Sequence, residues 1–462
     1  MAKDTMNRWL VIVGAIMIQL VLGVIFSWAV FTTPLQGTTM NPSQYGFTKT
    51  QTQLILSTGL ATFAVVMILA GSLQQTIAPR TVALGGTLLG VGYISAGYTG
   101  SSFLGKLLSI GLVGGIGIGL AYVVPIAIGA KWFPDKRGLI SGIVVSGFGF
   151  GSFIWQILAS PPSILGISGL IKTDEGIYTI SNLDSVFTTY GIIFLIMIVI
   201  GSLVMIDPPE GYMPPTDASP NTSRKKKQAP SRRDYSPAEM LKTWQFYAIW
   251  SMFAFGALAG LMVIGNVQNF ARNLREGFQG YGFTASQAAD FAAIGAAICL
   301  PILNGIGRIV WGMASDRMGN RKSLLLMFLL QGIMMLSFFF TTTNQYLFYL
   351  VAAFIGFNFG GNFALFPATT ADFFGRKNLG ANYGIVFASY GVGGIVGPIL
   401  AGMVQDYGLS FMYAFLPASG LCFVAALLAS FSRAPEDSQS LQLAGSARTS
   451  LTSVTAEAPH TL

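Results

Sequence analysis

Apolar residues in this chain come in blocks of roughly twenty, separated by short polar or Gly- and Pro-rich stretches. A block of that length is what a helix needs to cross the roughly 30 Å hydrocarbon core of a bilayer. Twelve such spans are predicted, over about 9–34, 51–77, 80–101, 103–131, 138–160, 186–206, 245–271, 287–314, 323–342, 344–371, 380–403 and 409–431. The first run, Trp9 to Phe31, is too long for the core of a cleavable signal, so it is expected to remain as a spanning helix. Several spans contain Gly or Pro, which membrane helices tolerate when neighbours re-satisfy the backbone.

The spacing divides the chain. Residues 1–207 form a first group of six spans, and 244–432 form a second. Between them, 208–243 is a linker carrying four prolines near its start, the run Arg224-Lys225-Lys226-Lys227, and Arg232-Arg233. After 432 the composition turns polar and aperiodic, and 433–462 is predicted to be a disordered cytoplasmic tail. The two groups echo each other. The fourth span reads Gly119-x5-Pro125-x6-Trp132 and the tenth reads Gly361-x5-Pro367-x6-Phe374. The fold class expected is therefore all-α: twelve transmembrane helices in two pseudo-symmetric six-helix bundles. Such repeats place a substrate site between the halves near the midplane.

Charge fixes the expected orientation. With the N-terminus inside, 20 of the 26 Lys and Arg residues fall on the inner side and 5 on the outer, Lys49, Lys106, Lys172, Arg272 and Arg275. The positive-inside rule then puts both termini and the linker in the cytoplasm of a multi-pass protein of the cell's inner (plasma) membrane. The same asymmetry accounts for the formal charge of +8 without nucleic acid as a partner. Only 10% of residues are charged and the mean hydropathy is +0.62, so the bilayer itself is the expected solvent. The only histidine, His460, lies in the tail, and Cys299 and Cys422 lie in apolar runs. Metal sites, histidine proton relays and a disulfide framework are therefore not expected. No Walker motif or nucleophile–base pair is present, so neither an ATP-driven pump, a cofactor-dependent protein nor an enzyme is indicated. Gly111, Gly115 and Gly119 share one helix face and read as close helix contact.

One charge departs from this pattern. Of 44 charged side chains, Arg308 alone is predicted deep within a span, eight residues before Asp316 at the inner end. That is about 12 Å along a helix, against a hydrocarbon half-thickness of about 15 Å. Asp290, near the outer start of the same span, lies too far along the axis to pair with it. A buried arginine needs a counter-charge or water. Two readings stay open: a structural arginine satisfied by carbonyls, or one whose counter-ion is the substrate. The second implies a small carboxylate, since a guanidinium fork matches it bidentately. Gly305, Gly307 and Gly312 carry no bulk to block access. Asn304, one turn earlier, shares the face and either adds a hydrogen bond or serves packing.

The loop Gly312-Met313-Ala314-Ser315-Asp316-Arg317-Met318-Gly319-Asn320-Arg321-Lys322 resembles the G-x-x-x-D-R-x-G-R-[RK] signature of the major facilitator superfamily, with one mismatch. Its counterpart in the first half is degenerate, with Gln75 where the Asp belongs. Phe26-Ser27-Trp28, Tyr122 with the following Lys131-Trp132-Phe133-Pro134-Asp135-Lys136-Arg137-Gly138, Glu239-Met240-Leu241-Lys242-Thr243 and Asn382-Tyr383-Gly384 are similar to the oxalate–formate exchanger and bacterial monocarboxylate transporter group.

The resemblance implies that Arg308 contacts a substrate carboxylate, and that Trp28, Tyr122, Asn358, Phe359 and Asn362 face a central cavity. It implies that Gly312, Asp316, Arg317, Gly319 and Arg321 pack charge against helix ends to stabilise the outward-open state. The oxalate exchanger has a second basic residue in its eleventh helix, where Tyr390 stands here. One positive charge favours a monoanion, with Tyr390 as a hydroxyl donor or a packing aromatic. Animal monocarboxylate carriers place an Asp where Asn304 stands, so a coupled proton needs another carrier, for which Asp290 is a candidate. The expected function is alternating-access transport of a lactate-, pyruvate- or acetate-like monocarboxylate, coupled to a proton. The alternatives are an oxalate/formate-type anion exchanger and a non-transporting carboxylate sensor.

Overall fold

The computed structural model describes residues 6–38, 41–73, 77–133, 137–160, 166, 168–209, 234–272, 284–375 and 378–435. The basic core of the linker at 210–233 and the tail from 436 onward lie outside the described residues, as do Gln75, Lys136, Arg376 and Lys377.

The described chain is helical apart from two isolated bridges, Ser43 with Tyr178 and Asp174 with Ile177. The first crossing is α1 (Arg8–Leu22), a 3₁₀ turn (Gly23–Ser27) and α2 (Ala29–Gln36). Next come α3 (Lys49–Leu73), then α4 (Pro79–Leu84) with α5 (Thr87–Ala96), then α6 (Phe103–Lys106) leading through a π segment (Leu107–Gly114) into α7 (Gly115–Trp132). The first half closes with α8 (Arg137–Ala159) and α9 (Ile180–Leu203). After a short surface turn, α10 (Pro237–Met240), the second half runs through α11 (Trp244–Arg272) and α12 (Ala285–Ile294). A π segment (Gly295–Cys299) leads into α13 (Leu300–Met318), followed by α14 (Asn320–Ser337), α15 (Gln345–Phe374), α16 (Leu379–Asp406) and α17 (Met412–Phe431).

Eleven of the described helices are continuous, long and apolar enough to cross a membrane. The predicted third span is not one rod. Gly85 and Gly86 divide it into α4 and α5, and a β-carbon at Gly86 would stand 2.7 Å from that of Ala121 on α7. The glycine pair trades helix continuity for close approach to its neighbour.

Glycine sets the packing elsewhere too. Gly111, Gly115 and Gly119 all face α3, meeting Thr58, Gly59 and Val66, as their shared face predicts. The internal echo is also visible. Pro125 lies within α7 and Pro367 within α15, and the buried Trp132 and Phe374 close those two helices.

The halves meet along two helix pairs, α3 with α16 and α8 with α13. At the end of α3 that the charge rule assigns to the outer side, Asp406 reaches across the halves. Its carboxylate accepts from the backbone N–H of Lys49 (3.1 Å), the N–H of Thr50 (2.8 Å) and the Thr50 hydroxyl (2.5 Å). A carboxylate thus caps the free N–H groups of a helix from the opposite bundle. Beside it, Gln53 donates to the Gly265 carbonyl at 3.2 Å and Gln405 donates to Asn266 at 3.1 Å, so α3, α11 and α16 are tied together at this end.

Lys106, one of the cations counted on the outer side, does not face solvent. It is fully buried and ion-pairs with Asp184 at 2.6 Å, while donating to the Ala96 carbonyl at 2.5 Å. Tyr45 donates to the same carboxylate at 2.8 Å, fastening the loop after α2 to α9. Burial and the adjacent Asp184 charge raise the Tyr45 phenol well above its usual range.

Candidate functional site

Arg308 lies on α13 with only 2% of its surface exposed. What precedes it in the chain determines where it points. Pro301 cannot donate a backbone hydrogen bond, and its ring crowds the carbonyl four residues back, Ala297, inside the π segment Gly295–Cys299. The wider turn absorbs that clash and re-aims everything after it, a common device at functional positions. Gly149 on α8 then allows α13 very close, since a β-carbon there would stand 3.0 Å from the Gly305 backbone.

The guanidinium is held from both halves. Its Nε donates to the Asn304 side-chain oxygen at 3.2 Å, and one terminal nitrogen donates to the Val145 carbonyl of α8 at 3.0 Å. Phe363 of α15 and Phe148 of α8 cover its faces, with ring centroids 4.3 and 5.3 Å from the guanidinium carbon. Such cation–π contacts stabilise a desolvated cation by about 2 kcal/mol. The hydroxyl groups of Tyr122, Tyr390 and Tyr383 couple electrostatically to Arg308, Tyr122 most directly, and no carboxylate does so among the described residues.

Three buried donors in this cluster lack a hydrogen-bond partner among the described residues: the second terminal nitrogen of Arg308, the Asn304 amide nitrogen and the Tyr390 hydroxyl. An unmatched buried donor costs about 1–3 kcal/mol, more when charged. Three together form a strongly electropositive, hydrogen-bond-hungry point at the contact between the bundles.

A shell of aromatic rings encloses that point. Phe63 packs on Tyr122 and Phe387 at 5.2 Å each, and Phe387 stacks on Tyr390 at 4.9 Å. Phe26 meets Phe148 at 4.9 Å and Phe359 at 5.2 Å, and Phe359 meets Phe363 at 5.5 Å. Phe26, Phe63 and Phe148 come from the first half, and Phe359, Phe363 and Phe387 from the second. The interior is therefore of low dielectric, where one ionic contact counts for more than in water.

Of the residues singled out in the sequence, Arg308, Asn304, Tyr122, Tyr390 and Phe359 are brought together here. Trp28 points elsewhere: its indole N–H donates to the Thr52 carbonyl at 2.9 Å, within the first half. The Asn362 amide lies against Gly256 of α11, inside the second half. Asn358 neighbours it one turn earlier, with both amide atoms buried and without partners among the described residues. Asp290 sits on α12 within electrostatic reach of Tyr349 and outside the Arg308 cluster.

Gly305 and Gly307 serve packing rather than access, facing the Phe150 ring and the Phe357 backbone. Only Gly312 is open, with Ala364 3.9 Å from where its β-carbon would be. In the loop after α13, Gly319 turns the chain with φ of 84° and Arg321 donates to the Ser430 carbonyl. Asp316 and Arg317 stand exposed, with no ion pair among the described residues in this conformation. Phe63, Phe148, Phe363, Phe387 and the Val145 carbonyl were not flagged by the sequence. The available signal was the i, i+4 pair Phe359/Phe363 and the single aromatic flanked by Gly147 and Gly149.

Two halves of membrane-length helices, eleven of them continuous among the described residues, with a buried arginine at their contact are the architecture of a membrane transporter. The chain belongs to the Major Facilitator Superfamily, whose profile matches residues 9–303 and 278–458. It is 28% identical to the MFS-type transporter YhjX of Escherichia coli (strain K12) over 391 residues, 84% of this chain and 86% of that one. It is 27% identical to the oxalate:formate antiporter of Oxalobacter formigenes over 432 residues, 92% of this chain and 91% of that one. The apicoplast pyruvate carrier 1 of Toxoplasma gondii is 27% identical over 373 residues, 72% of this chain and 66% of that one. Among solved structures, a bacterial homolog of the human lysosomal transporter Spinster, inward-facing and unoccupied, shares the fold. Its TM-score is 0.58 at 15% identity, covering 92% of this chain and 95% of that one.

Proposed function

We propose that this protein moves a small monocarboxylate, lactate-, pyruvate- or acetate-like, across the inner (plasma) membrane by alternating access, with Arg308 holding the carboxylate. The observation that carries this reading is the set of unmatched buried donors at Arg308, Asn304 and Tyr390, gathered where the halves meet and lacking any acid partner among the described residues. A carboxylate supplies two acceptor oxygens to the guanidinium fork in place of the Val145 carbonyl, and Tyr122 and Tyr390 offer hydroxyl donors. Phe359 and its neighbouring rings exclude water from the pair. Residues 1–207 and 244–432 rock about the site, both termini lying in the cytoplasm. Relatives named for oxalate:formate exchange and pyruvate carriage support a small carboxylate as the class of cargo.

A second reading, obligatory exchange of organic anions, is favoured by the 92% coverage against the oxalate:formate antiporter. Uptake of labelled lactate into proteoliposomes, with and without an inward proton gradient, separates the two. Gradient-stimulated accumulation that Arg308→Ala abolishes and Arg308→Lys weakens at least tenfold is expected. Uptake only into vesicles preloaded with another carboxylate selects the exchanger. Full uptake by Arg308→Ala overturns the role of Arg308 in both.

A further inference from the structure

At the end of the molecule assigned to the outer side, between α2, α8, α11 and the loop before α9, lies a cavity of about 510 Å³. Its size falls within the range of small-molecule sites, roughly 300–1,000 Å³. Thr33, Asn41, Ser160, Lys172, Tyr178 and Gln268 give it a polar wall. Among the described lining residues Lys172 is the single charged one, while the nearby Asp174 and Glu175 are exposed and not among them. Gln268 is only 3% exposed and lines the cavity. An amide on a largely buried side chain, opening on a polar cavity beside a lysine, suits an anion with a hydrogen-bonding edge.

A chain of ring contacts links the cavity's wall to Arg308. Val30 lines it, and Phe26, one turn deeper on the same crossing, packs on Phe148, Phe359 and Phe363. Phe363 in turn covers the guanidinium. Phe26 and its partner rings are thus the partition between the outer cavity and the central arginine.

We propose that this cavity is an outer loading site, in which Lys172 and Gln268 hold a small carboxylate before it passes the Phe26 partition to Arg308. The proposal rests on the carboxylate reading of the central site. A charge at the mouth of a cleft captures anions by long-range attraction, so its mark is a half-saturation concentration that depends on ionic strength.

The test uses full-length protein in oriented proteoliposomes, offered labelled formate, acetate, lactate and oxalate in turn. Lys172→Gln, at an exposed position, is the decisive variant, with Gln268→Leu as a second. Each is expected to raise the outer half-saturation concentration about three- to tenfold, with the maximal rate within twofold and inner-side half-saturation unchanged. Lys172→Arg restores the wild-type value, which loss of a merely structural lysine does not predict. Salt weakens outer half-saturation in the wild type and not in Lys172→Gln. If both variants keep the wild-type outer value while Arg308→Ala abolishes transport, the loading site falls and the central site stands. If the wild type carries none of the four anions, or Arg308→Ala carries them at full rate, the carboxylate reading fails and takes the loading site with it.

Discussion

At the scale of residues, the central question is why a cation sits at the contact of two apolar bundles without an acid beside it. Asn304 holds the guanidinium Nε at 3.2 Å with a neutral oxygen, which orients the arginine and leaves its charge available. Asn304→Asp tests that idea directly. The introduced carboxylate has the reach to pair with Arg308 and compete with any anion for it. Carboxylate uptake is expected to fall at least tenfold near neutral pH and to recover as the medium is acidified, because protonating the new carboxyl frees the guanidinium. Uptake that is unchanged across pH shows that neither residue meets the cargo. The burial of Arg308 was legible from the sequence, since charge is rare in apolar spans and its position fixed its depth. The aromatic shell was not. In a chain with 35 phenylalanines, an i, i+4 spacing and flanking glycines are too common to single out Phe363 and Phe148, which lie on the guanidinium.

At the scale of elements, twelve spans could be read from length and hydropathy, but their irregularities could not. The π segment before Pro301 and the break at Gly85 and Gly86 are consequences of neighbours, decided by which backbone must approach which. The directions of Trp28 and Asn362 were unreadable for the same reason: a helix one notch rotated turns a cavity residue into a packing residue. The bond between Asp406 and the start of α3 is likewise invisible in sequence, because its ends lie 356 residues apart. Its consequence is conformational. Four orphan N–H groups at a helix start attract an anion, and here the anion comes from the other half, so parting the halves at this end must first break three hydrogen bonds. Asp406→Ala is expected to shift the resting population toward opening at this end by a few-fold to tenfold. Spin labels at the start of α3 and the end of α16 report it as growth of a longer-distance population. An unchanged distance distribution means that Gln53, Gln405 and the glycine contacts hold this end closed without Asp406.

At the scale of the whole molecule, the charge balance at the contact of the bundles constrains what the proposed site can hold. One positive charge, Arg308, sits at the contact of the two bundles, and the described residues add no second cation there. Tyr390, stacked on Phe387, contributes a hydroxyl and no charge. A monoanion paired with the guanidinium gives a neutral complex, which the surrounding rings can enclose with little electrostatic penalty. A dianion leaves one uncompensated negative charge in the same low-dielectric shell, and an unpaired buried charge is among the most destabilising features a protein can carry. On the proposed carboxylate reading, the bundles close most readily around the neutral pair, which puts discrimination at the occlusion step as well as at binding. Formate, acetate and lactate are therefore expected to inhibit uptake of a labelled monocarboxylate at concentrations at least tenfold lower than oxalate does. Replacing Tyr390 with Lys supplies the missing charge and is expected to narrow or reverse that ratio. Equal inhibition by oxalate in the wild type contradicts the charge-balance argument and makes the oxalate:formate antiporter the better guide to this protein's cargo.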